Sequence, residues 1–145
     1  MSLDGSYDDG NILARILRGE IPSAKVYEDA ETLALMDAFP QTLGHTLVIS
    51  KTSRARNLLE IEPAALNALM ATVQRVARGV KAALKPDGIL ISQFNGSAAG
   101  QTIFHLHVHI LPKWVGVEMG RHGESGMADA GALADLARSI AAELG

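Results

Sequence analysis

The spacing of apolar residues along the chain predicts three helices. The longest begins at Pro63, a residue suited to the first helical position, and continues through about six turns. Its apolar face comprises Leu66, Leu69, Met70, Val73, Val76, Ala77, Val80 and Leu84. A short helix that ends near Gly19 is predicted, because Ile12, Leu13, Ile16 and Leu17 recur at helical spacing and glycine suits a C-terminal cap. An alanine-rich third helix is predicted over Ala128–Leu144.

Short apolar segments bounded by turn residues predict five strands between these helices. They are Lys25–Glu28, Thr32–Met36, Thr46–Ser50, Ile89–Gln93 and Thr102–Leu111. The first two flank the turn at residues 29–31 as a hairpin, and Pro112 closes the last strand. Strand pairs with one long helix crossing between them indicate an α+β fold with a mainly antiparallel sheet.

The chain of 145 residues has the length of one ordinary domain. Residues 1–10 are predicted to form a flexible tail, and residues 11–115 form the main domain. Residues 116–145 contain a glycine-rich segment and the third helix, which we expect to pack on the same domain.

Composition and charge exclude several classes of function. Thirteen Lys and Arg residues against 16 Asp and Glu residues give a net charge of −3, and no basic run is present to grip a nucleic-acid polymer. The absence of cysteine excludes disulfides and thiolate metal sites. No stretch approaches the ~20 apolar residues that span a bilayer, and residues 1–10 are unlike a signal peptide. We therefore expect a cytoplasmic protein.

The most informative segment contains three histidines at alternating positions, His105, His107 and His109. Because side chains alternate faces along a strand, the three imidazoles are predicted to share one face, with consecutive Cα atoms about 6.5–7 Å apart. The intervening apolar residues fill the other face. A histidine trio on an apolar strand favours a functional site.

Two kinds of chemistry fit this trio. Three imidazoles could bind zinc and leave an open position for activated water. Alternatively, a neutral imidazole could attack phosphorus directly as a nucleophile. Clustered imidazoles disfavour one another's protonation, which keeps a nucleophilic nitrogen available, and no HExxH motif or cysteine partner is present. These features favour the nucleophile.

The loop before the histidines, residues 95–102, contains small residues that let backbone N–H groups approach an anion. Its polar side chains are those of Asn95, Ser97, Gln101 and Thr102. Two further polar residues, Asp37 and His45, lie at predicted strand ends, but nothing internal to the sequence brings either of them to the histidines.

Several motifs together resemble the histidine triad (HIT) family, and within it the Hint-like branch of nucleoside phosphoramidate and nucleotide-binding hydrolases. The triad segment is His105-Leu106-His107-Val108-His109-Ile110-Leu111. The other matching segments are residues 16–22, 37–41, 44–49 and 99–102, in the family's order. The resemblance covers about residues 11–114.

The resemblance implies a covalent reaction at a nucleotide α-phosphorus. The middle histidine, His107, would be the nucleophile, and water would then release the nucleoside monophosphate. His109 would bind the phosphate and orient His107, while His105 and His45 would pair nearby. Thr102 completes the predicted catalytic set.

The resemblance also implies a homodimer of five-stranded antiparallel sheets and a purine nucleotide, or a conjugate of one, as the ligand. Asp37 would accept hydrogen bonds from the ribose hydroxyls, and Gln101 would contact the phosphate or the leaving group. Relatives often place asparagine at the position of Phe94, and here its neighbour is Asn95. The predicted nucleotide-binding residues are Asp37, Asn95, Gly100, Gln101, Ile12, Leu13, Ile16, Leu35 and Leu47.

One departure from the family concerns zinc. Many bacterial relatives hold structural zinc at positions that correspond here to Asn11, Ala14, Ser53 and His105, and of these only His105 is a zinc-ligand residue type. We therefore expect neither a metal nor another cofactor. The alternatives to a nucleotidyl hydrolase or transferase are a nucleotide-binding dimeric scaffold with weak activity and a three-histidine zinc hydrolase.

Overall fold

The computed structural model describes residues 2–121, 124 and 126–145. Met1 of the predicted tail and residues 122, 123 and 125 of the glycine-rich segment lie outside the described residues. The strands are β1 (Lys25–Glu28), β2 (Thr32–Met36), β3 (Thr46–Ser50), β4 (Gly88–Ser92) and β5 (His107–Lys113), and the helices are α1 (Ile12–Leu17), α2 (Pro63–Leu84) and α3 (Ala130–Ala141). The strands form one antiparallel sheet in the order β1-β2-β3-β5-β4. The predicted α+β fold is confirmed.

Both faces of the central strands are buried, so β2 and β3 are apolar at nearly every position. Val48 of β3 and Val108 of β5 pack under α2 and α3 in the larger core cluster. Leu35 and Leu47 lie on the opposite face with Leu13 of α1. Because His109 pairs with Leu47 across the sheet, the histidines of β5 lie on the α1 face.

The helix ends follow from local sequence. The side chain of Asn11 caps α1 by accepting a hydrogen bond of 3.0 Å from the Ala14 N–H. Pro63 opens α2, and Lys85 ends it in the left-handed conformation at φ 52°. The three predicted helices and the bounds predicted for β1, β2 and β3 are confirmed.

The last strand differs from its prediction, because it begins at His107 rather than Thr102. Its partner β3 ends at Ser50, and the final pair joins Ile49 to His107. Residues before His107 therefore have no ladder partner on that side. Instead, the Leu106 N–H donates to the carbonyl of Ala55 at 3.0 Å.

Pro112 does not close β5, which continues to Lys113. The last pair between β3 and β5 joins Thr46 to Ile110, so Pro112 lies beyond the β3 ladder. Its missing N–H costs no ladder hydrogen bond there, while pairing with β4 continues opposite Ile89.

The chain on either side of the main domain also contacts the core. In residues 2–10, the carbonyl of Leu3 accepts from Arg56, and Asp9 forms an ion pair of 2.8 Å with Arg54. Leu133 and Ile140 of α3 are buried in the larger core cluster. Among the described residues, no helix has the length and hydropathy of a membrane span.

Candidate active site

His107 and His109 are neighbours on the α1 face of β5, and their ring centroids lie 4.9 Å apart. Both side chains are buried, yet both line a cavity of about 610 Å³. This volume is within the range of ~300–1,000 Å³ usual for small-molecule sites. The cavity places two imidazoles where a ligand could reach them.

The hydrogen bond made by His107 defines its tautomer. The Nδ1 atom lies 2.7 Å from the carbonyl oxygen of His105. A carbonyl can only accept, so Nδ1 carries the proton and Nε2 of the neutral ring carries the lone pair. His107 therefore has the protonation pattern that a nucleophilic imidazole requires.

His45 defines the tautomer of His109 in the same way. The Gln41 N–H donates to Nδ1 of His45 at 3.1 Å, so the neutral His45 ring carries its proton on Nε2. That Nε2 atom lies 2.9 Å from Nδ1 of His109, which accepts the hydrogen bond. Neutral His109 consequently carries its proton on Nε2, where it can donate to a ligand.

Asp37 lies at the end of β2 beside this pair of rings. Its Oδ2 atom is 3.4 Å from Nε2 of His45, and its Oδ1 atom accepts from the Phe39 N–H at 2.8 Å. The carboxylate also lines the cavity. A negative charge at this position stabilises any positive charge that develops on the two imidazoles.

The expectation of three imidazoles on one strand face is wrong for His105. This residue precedes β5, and its ring makes contacts away from the cavity lining. Nε2 donates to the carbonyl of Ser50 at 3.1 Å, and Nδ1 lies 2.6 Å from the hydroxyl of Tyr7. Burial lowers the pKa of His105 to about 4, against an ordinary value of 6.5. His105 contributes its carbonyl to the site, whereas its ring anchors the surrounding chain.

The spacing of Asp37, His45 and His109 resembles a metal site, because one ligand atom from each lies within 4.8 Å of the others. The hydrogen bonds favour a different occupant. The Gln41 N–H occupies Nδ1 of His45, so Nε2 must keep its proton and has no lone pair for a metal. A proton shared among these groups fits the donor pattern better than a metal ion.

The positions that hold structural zinc in bacterial relatives do not fit a zinc ion here. The side chain of Asn11 is the cap of α1, and the Ser53 hydroxyl accepts from the Ala55 N–H at 3.1 Å. Ala14 offers no ligand atom, and both ring nitrogens of His105 are engaged by Tyr7 and Ser50.

The loop before the triad is shaped by its own hydrogen bonds. Gly96 and Gly100 have φ angles of 86° and 103°, which favour glycine. The buried side chain of Gln101 accepts from the Gly96 N–H and donates to the carbonyl of Arg56. Gly100 and Thr102 line the cavity. Gln101 holds the loop closed instead of lining the cavity, which differs from its predicted contact with the ligand.

Asn95 also differs from its predicted place in the ligand site. Its Oδ1 atom accepts from the Leu58 N–H at 2.9 Å and from the Gln93 side chain at 2.8 Å. Its neighbour Phe94 faces the cavity instead, with its ring centroid 5.5 Å from that of His109. The two residues point to opposite sides because they are adjacent in extended chain.

The apolar wall predicted from the sequence is present around the cavity. It consists of Ile12, Leu13, Ile16, Leu35 and Leu47. Two elements come together to form it, because α1 packs over β2 and β3 on the face that carries His107 and His109.

Sequence reasoning missed a second apolar wall, which we call the C-terminal wall. It consists of Met127, Ala128, Ala130, Leu133 and Ala134. The Ala128 N–H donates to the carbonyl of Ala38 at 2.8 Å and ties this wall to the loop after β2. Helical periodicity predicts α3 itself. The position of α3 against the cavity depends on contacts with distant residues such as Ala38, and local sequence patterns do not encode such contacts.

Comparison with known proteins connects this geometry to a family, because residues 18–115 match the family model described as the HIT domain. The chain belongs to the histidine triad family. Members of this family are generally hydrolases or transferases, and the family and fold predicted from the sequence are confirmed.

Among curated relatives, "Protein hit" of Bacillus subtilis is 41% identical over 103 residues, covering 71% of this chain and 70% of its own. The Arabidopsis thaliana protein named adenylylsulfatase HINT3 is 34% identical over 117 residues, covering 77% of this chain and 59% of its own. A HIT-like protein of Bartonella henselae, solved with an unknown ligand, is 42% identical with a TM-score of 0.89, over 96% of this chain and 99% of its own.

Proposed function

We propose that the protein is a nucleotidyl hydrolase or transferase that cleaves conjugates of purine nucleoside monophosphates at the α-phosphorus, through a covalent intermediate on His107. One observation carries the proposal. The Nδ1–H of His107 is fixed by the carbonyl of His105 at 2.7 Å, which leaves the Nε2 lone pair on a ring that lines the cavity.

The first step forms a bond between Nε2 of His107 and the α-phosphorus. In a phosphoramidate the P–N bond breaks, and the departing nitrogen takes its electron pair together with a proton. Water in the open cavity supplies this proton. Nε2–H of His109 instead donates a hydrogen bond to a phosphoryl oxygen, because its Nδ1 accepts from His45. The proton that the attacking water releases in the second step is returned to the solvent.

In the second step, water attacks the phosphorus and the bond to His107 breaks. The products are the nucleoside monophosphate and the free enzyme. A nucleophile other than water would complete a transfer in place of hydrolysis. The cavity borders Gly100 and Thr102, whose loop supplies backbone and hydroxyl donors for the phosphoryl oxygens.

The remainder of the cavity suits a nucleoside. The carboxylate of Asp37 can accept hydrogen bonds from ribose hydroxyls, and the apolar wall between α1 and the sheet suits a flat aromatic base. The adenylylsulfatase named among the relatives supports chemistry at the same phosphorus with sulfate as the leaving group. We propose that amines are the principal leaving groups in the reaction of this protein. A conjugate with sulfate as its leaving group is the comparison substrate.

The experiment that tests this proposal replaces the nucleophile. His107→Asn should abolish turnover of an adenosine phosphoramidate while the thermal unfolding temperature stays close to that of the unchanged protein. Acid quenching of the unchanged protein during turnover should trap an adenylyl group on the peptide that contains residue 107. Turnover that persists in His107→Asn, or an unchanged protein without the adduct, contradicts the covalent mechanism.

We also propose that the protein is a homodimer that pairs through β4. This strand is at the edge of the sheet, and Leu90 and Ile91 on it are each about two-fifths exposed. Beside it, Leu58 and Met70 are similarly exposed and border a shallow depression with Ile91. An exposed apolar edge strand is a liability unless another chain covers it.

A further inference from the structure

Tyr7 connects the N-terminal segment to the histidine triad. Its hydroxyl lies 2.6 Å from Nδ1 of His105, and its ring meets that imidazole edge to face with centroids 5.7 Å apart. Two residues hold the tyrosine in place. Arg54 lies 4.7 Å from the centre of its ring, and Asp9 forms an ion pair with Arg54.

The hydrogen bonds around His105 leave a single arrangement of protons. The carbonyl of Ser50 can only accept, so Nε2 of His105 carries the ring proton. Nδ1 is then an acceptor, and the Tyr7 hydroxyl must be its donor. Without this donor, Nδ1 of His105 would be buried and unsatisfied. If the ring proton moved to Nδ1 instead, the lone pair of Nε2 would face the lone pairs of the Ser50 carbonyl oxygen.

The backbone of the same residue holds the nucleophile. The carbonyl of His105 accepts the Nδ1–H of His107 at 2.7 Å, and this contact keeps the lone pair on Nε2. His105 is not part of the β5 ladder, so its side chain must help to fix the position of that carbonyl. The contacts made by Ser50 and Tyr7 are the side-chain anchors that the described residues provide.

We propose that Tyr7 is a positioning residue for the reaction: its hydroxyl fixes the His105 ring, and through the His105 carbonyl it fixes the tautomer and direction of His107. The inference rests on the proposed role of His107 as nucleophile. Tyr7 precedes residues 18–115, which match the family model.

The kinetic test compares the two tyrosines of the chain. Tyr7→Phe should lower kcat for an adenosine phosphoramidate by about 10- to 100-fold, because small displacements of a reacting group have effects of this size. KM should change by less than about threefold, since Tyr7 does not line the cavity. The matched control is Tyr27→Phe, which removes a hydroxyl bonded to Asp29 on β1 and should leave kcat unchanged.

A second measurement does not depend on activity. In ¹⁵N-histidine NMR spectra, the unchanged protein should show His105 with its proton on Nε2 and His107 with its proton on Nδ1. Tyr7→Phe should convert both rings to mixtures of tautomers, while Tyr27→Phe should not. This readout separates the two proposals, because failure of the covalent mechanism would leave the tautomers as stated.

Three results would overturn the role of Tyr7. They are a Tyr7→Phe variant with kcat within twofold of the unchanged protein, an equal loss in Tyr27→Phe, and His105 protonated on Nδ1 in the unchanged protein. The last result needs no variant, so it applies even if Tyr7→Phe fails to fold.

Discussion

Nε2 of His45 lies 2.9 Å from Nδ1 of His109, and both rings are buried although 64 residues separate them in the sequence. His45 is fixed in turn by the Gln41 N–H. This backbone donor therefore determines which nitrogen of His109 faces the ligand. The hydrogen-bond donor that His109 offers in the proposed reaction is oriented by His45, a residue that need not touch the substrate.

Removing the imidazole of His45 should slow the reaction. His45→Leu deletes the donor to His109, so we expect kcat to fall by about 100-fold as His109 loses its fixed orientation. His45→Gln keeps an N–H donor at a similar reach and should recover part of that loss. Steady-state kinetics with an adenosine phosphoramidate measure both variants. Equal kcat values for the two variants would show that the hydrogen bond to His109 is unimportant.

Acid should destabilise the protein through His105. Its pKa is about 4 in the folded state, because burial disfavours the charged ring, against 6.5 when it is exposed. The unfolded chain therefore binds a proton first, and the stability contributed by the neutral ring is lost as pH falls from 6.5 towards 4. The loss is about 3 kcal/mol of unfolding free energy.

Urea unfolding across this pH range measures the effect, with His105→Gln as the reference. The variant lacks the titrating ring, so its unfolding free energy should fall less steeply over the same interval. Parallel curves for the two proteins would be incompatible with a depressed pKa at this residue.

Gly44 should be among the glycines least tolerant of substitution. Its φ is +84°, and an added Cβ would lie 2.3 Å from Cδ1 of Leu84 and 3.2 Å from Cγ of Pro112. Gly44→Ala should cost about 3 kcal/mol of unfolding free energy, from backbone strain and overpacking together. Gly19→Ala is the matched control, since φ is +77° but nothing lies within 4 Å, and it should cost about 1 kcal/mol. Equal losses in denaturant unfolding would refute the packing contribution.

Ligand affinity should depend on the C-terminal wall. Ala134 lines the cavity, whereas Ala132 on the same helix is exposed and does not. Ala134→Trp should weaken adenosine monophosphate binding by about tenfold or more, because the added ring occupies ligand space. Ala132→Trp should bind like the unchanged protein. Calorimetric titration measures both, and an unaffected Ala134→Trp would place the nucleotide elsewhere in the cavity.

A charge on the edge of β4 should separate the proposed dimer. Ile91→Lys puts an ammonium group on the apolar surface of the edge strand β4, so we expect a monomer by analytical ultracentrifugation. The control is Leu43→Lys, which changes an exposed apolar residue in the loop before β3. A monomeric unchanged protein, or dimers of both variants, would contradict pairing through β4.

The sequence predicted those parts of the fold that depend on local pattern. The bounds of β1 to β3 follow from short apolar segments between turn residues, and the start of α2 follows from Pro63. The position of α1 follows from apolar residues at helical spacing. The start of β5 could not be predicted in this way, because it is determined by the end of β3 at Ser50.

In the candidate site too, the features set by local pattern were predicted and those set by distant contacts were not. Alternation correctly brought His107 and His109 together, but the direction of the His105 ring depends on Tyr7, which is 98 residues away. The resemblance predicted that His45 pairs with His105, and this is wrong, because His45 bonds to His109 and His105 bonds to Ser50 and Tyr7. No periodicity encodes such contacts between strands. Asn95 was predicted to contact the ligand, whereas Phe94 lines the cavity. The two side chains point to opposite faces because they are adjacent in extended chain.

The histidines and the C-terminal wall surround one cavity, yet the stretch that matches the family ends at residue 115. The two cavity histidines and the C-terminal wall therefore lie in separate stretches of the chain. We expect mutations after residue 115 to change which compounds enter the cavity without moving the imidazoles of β5.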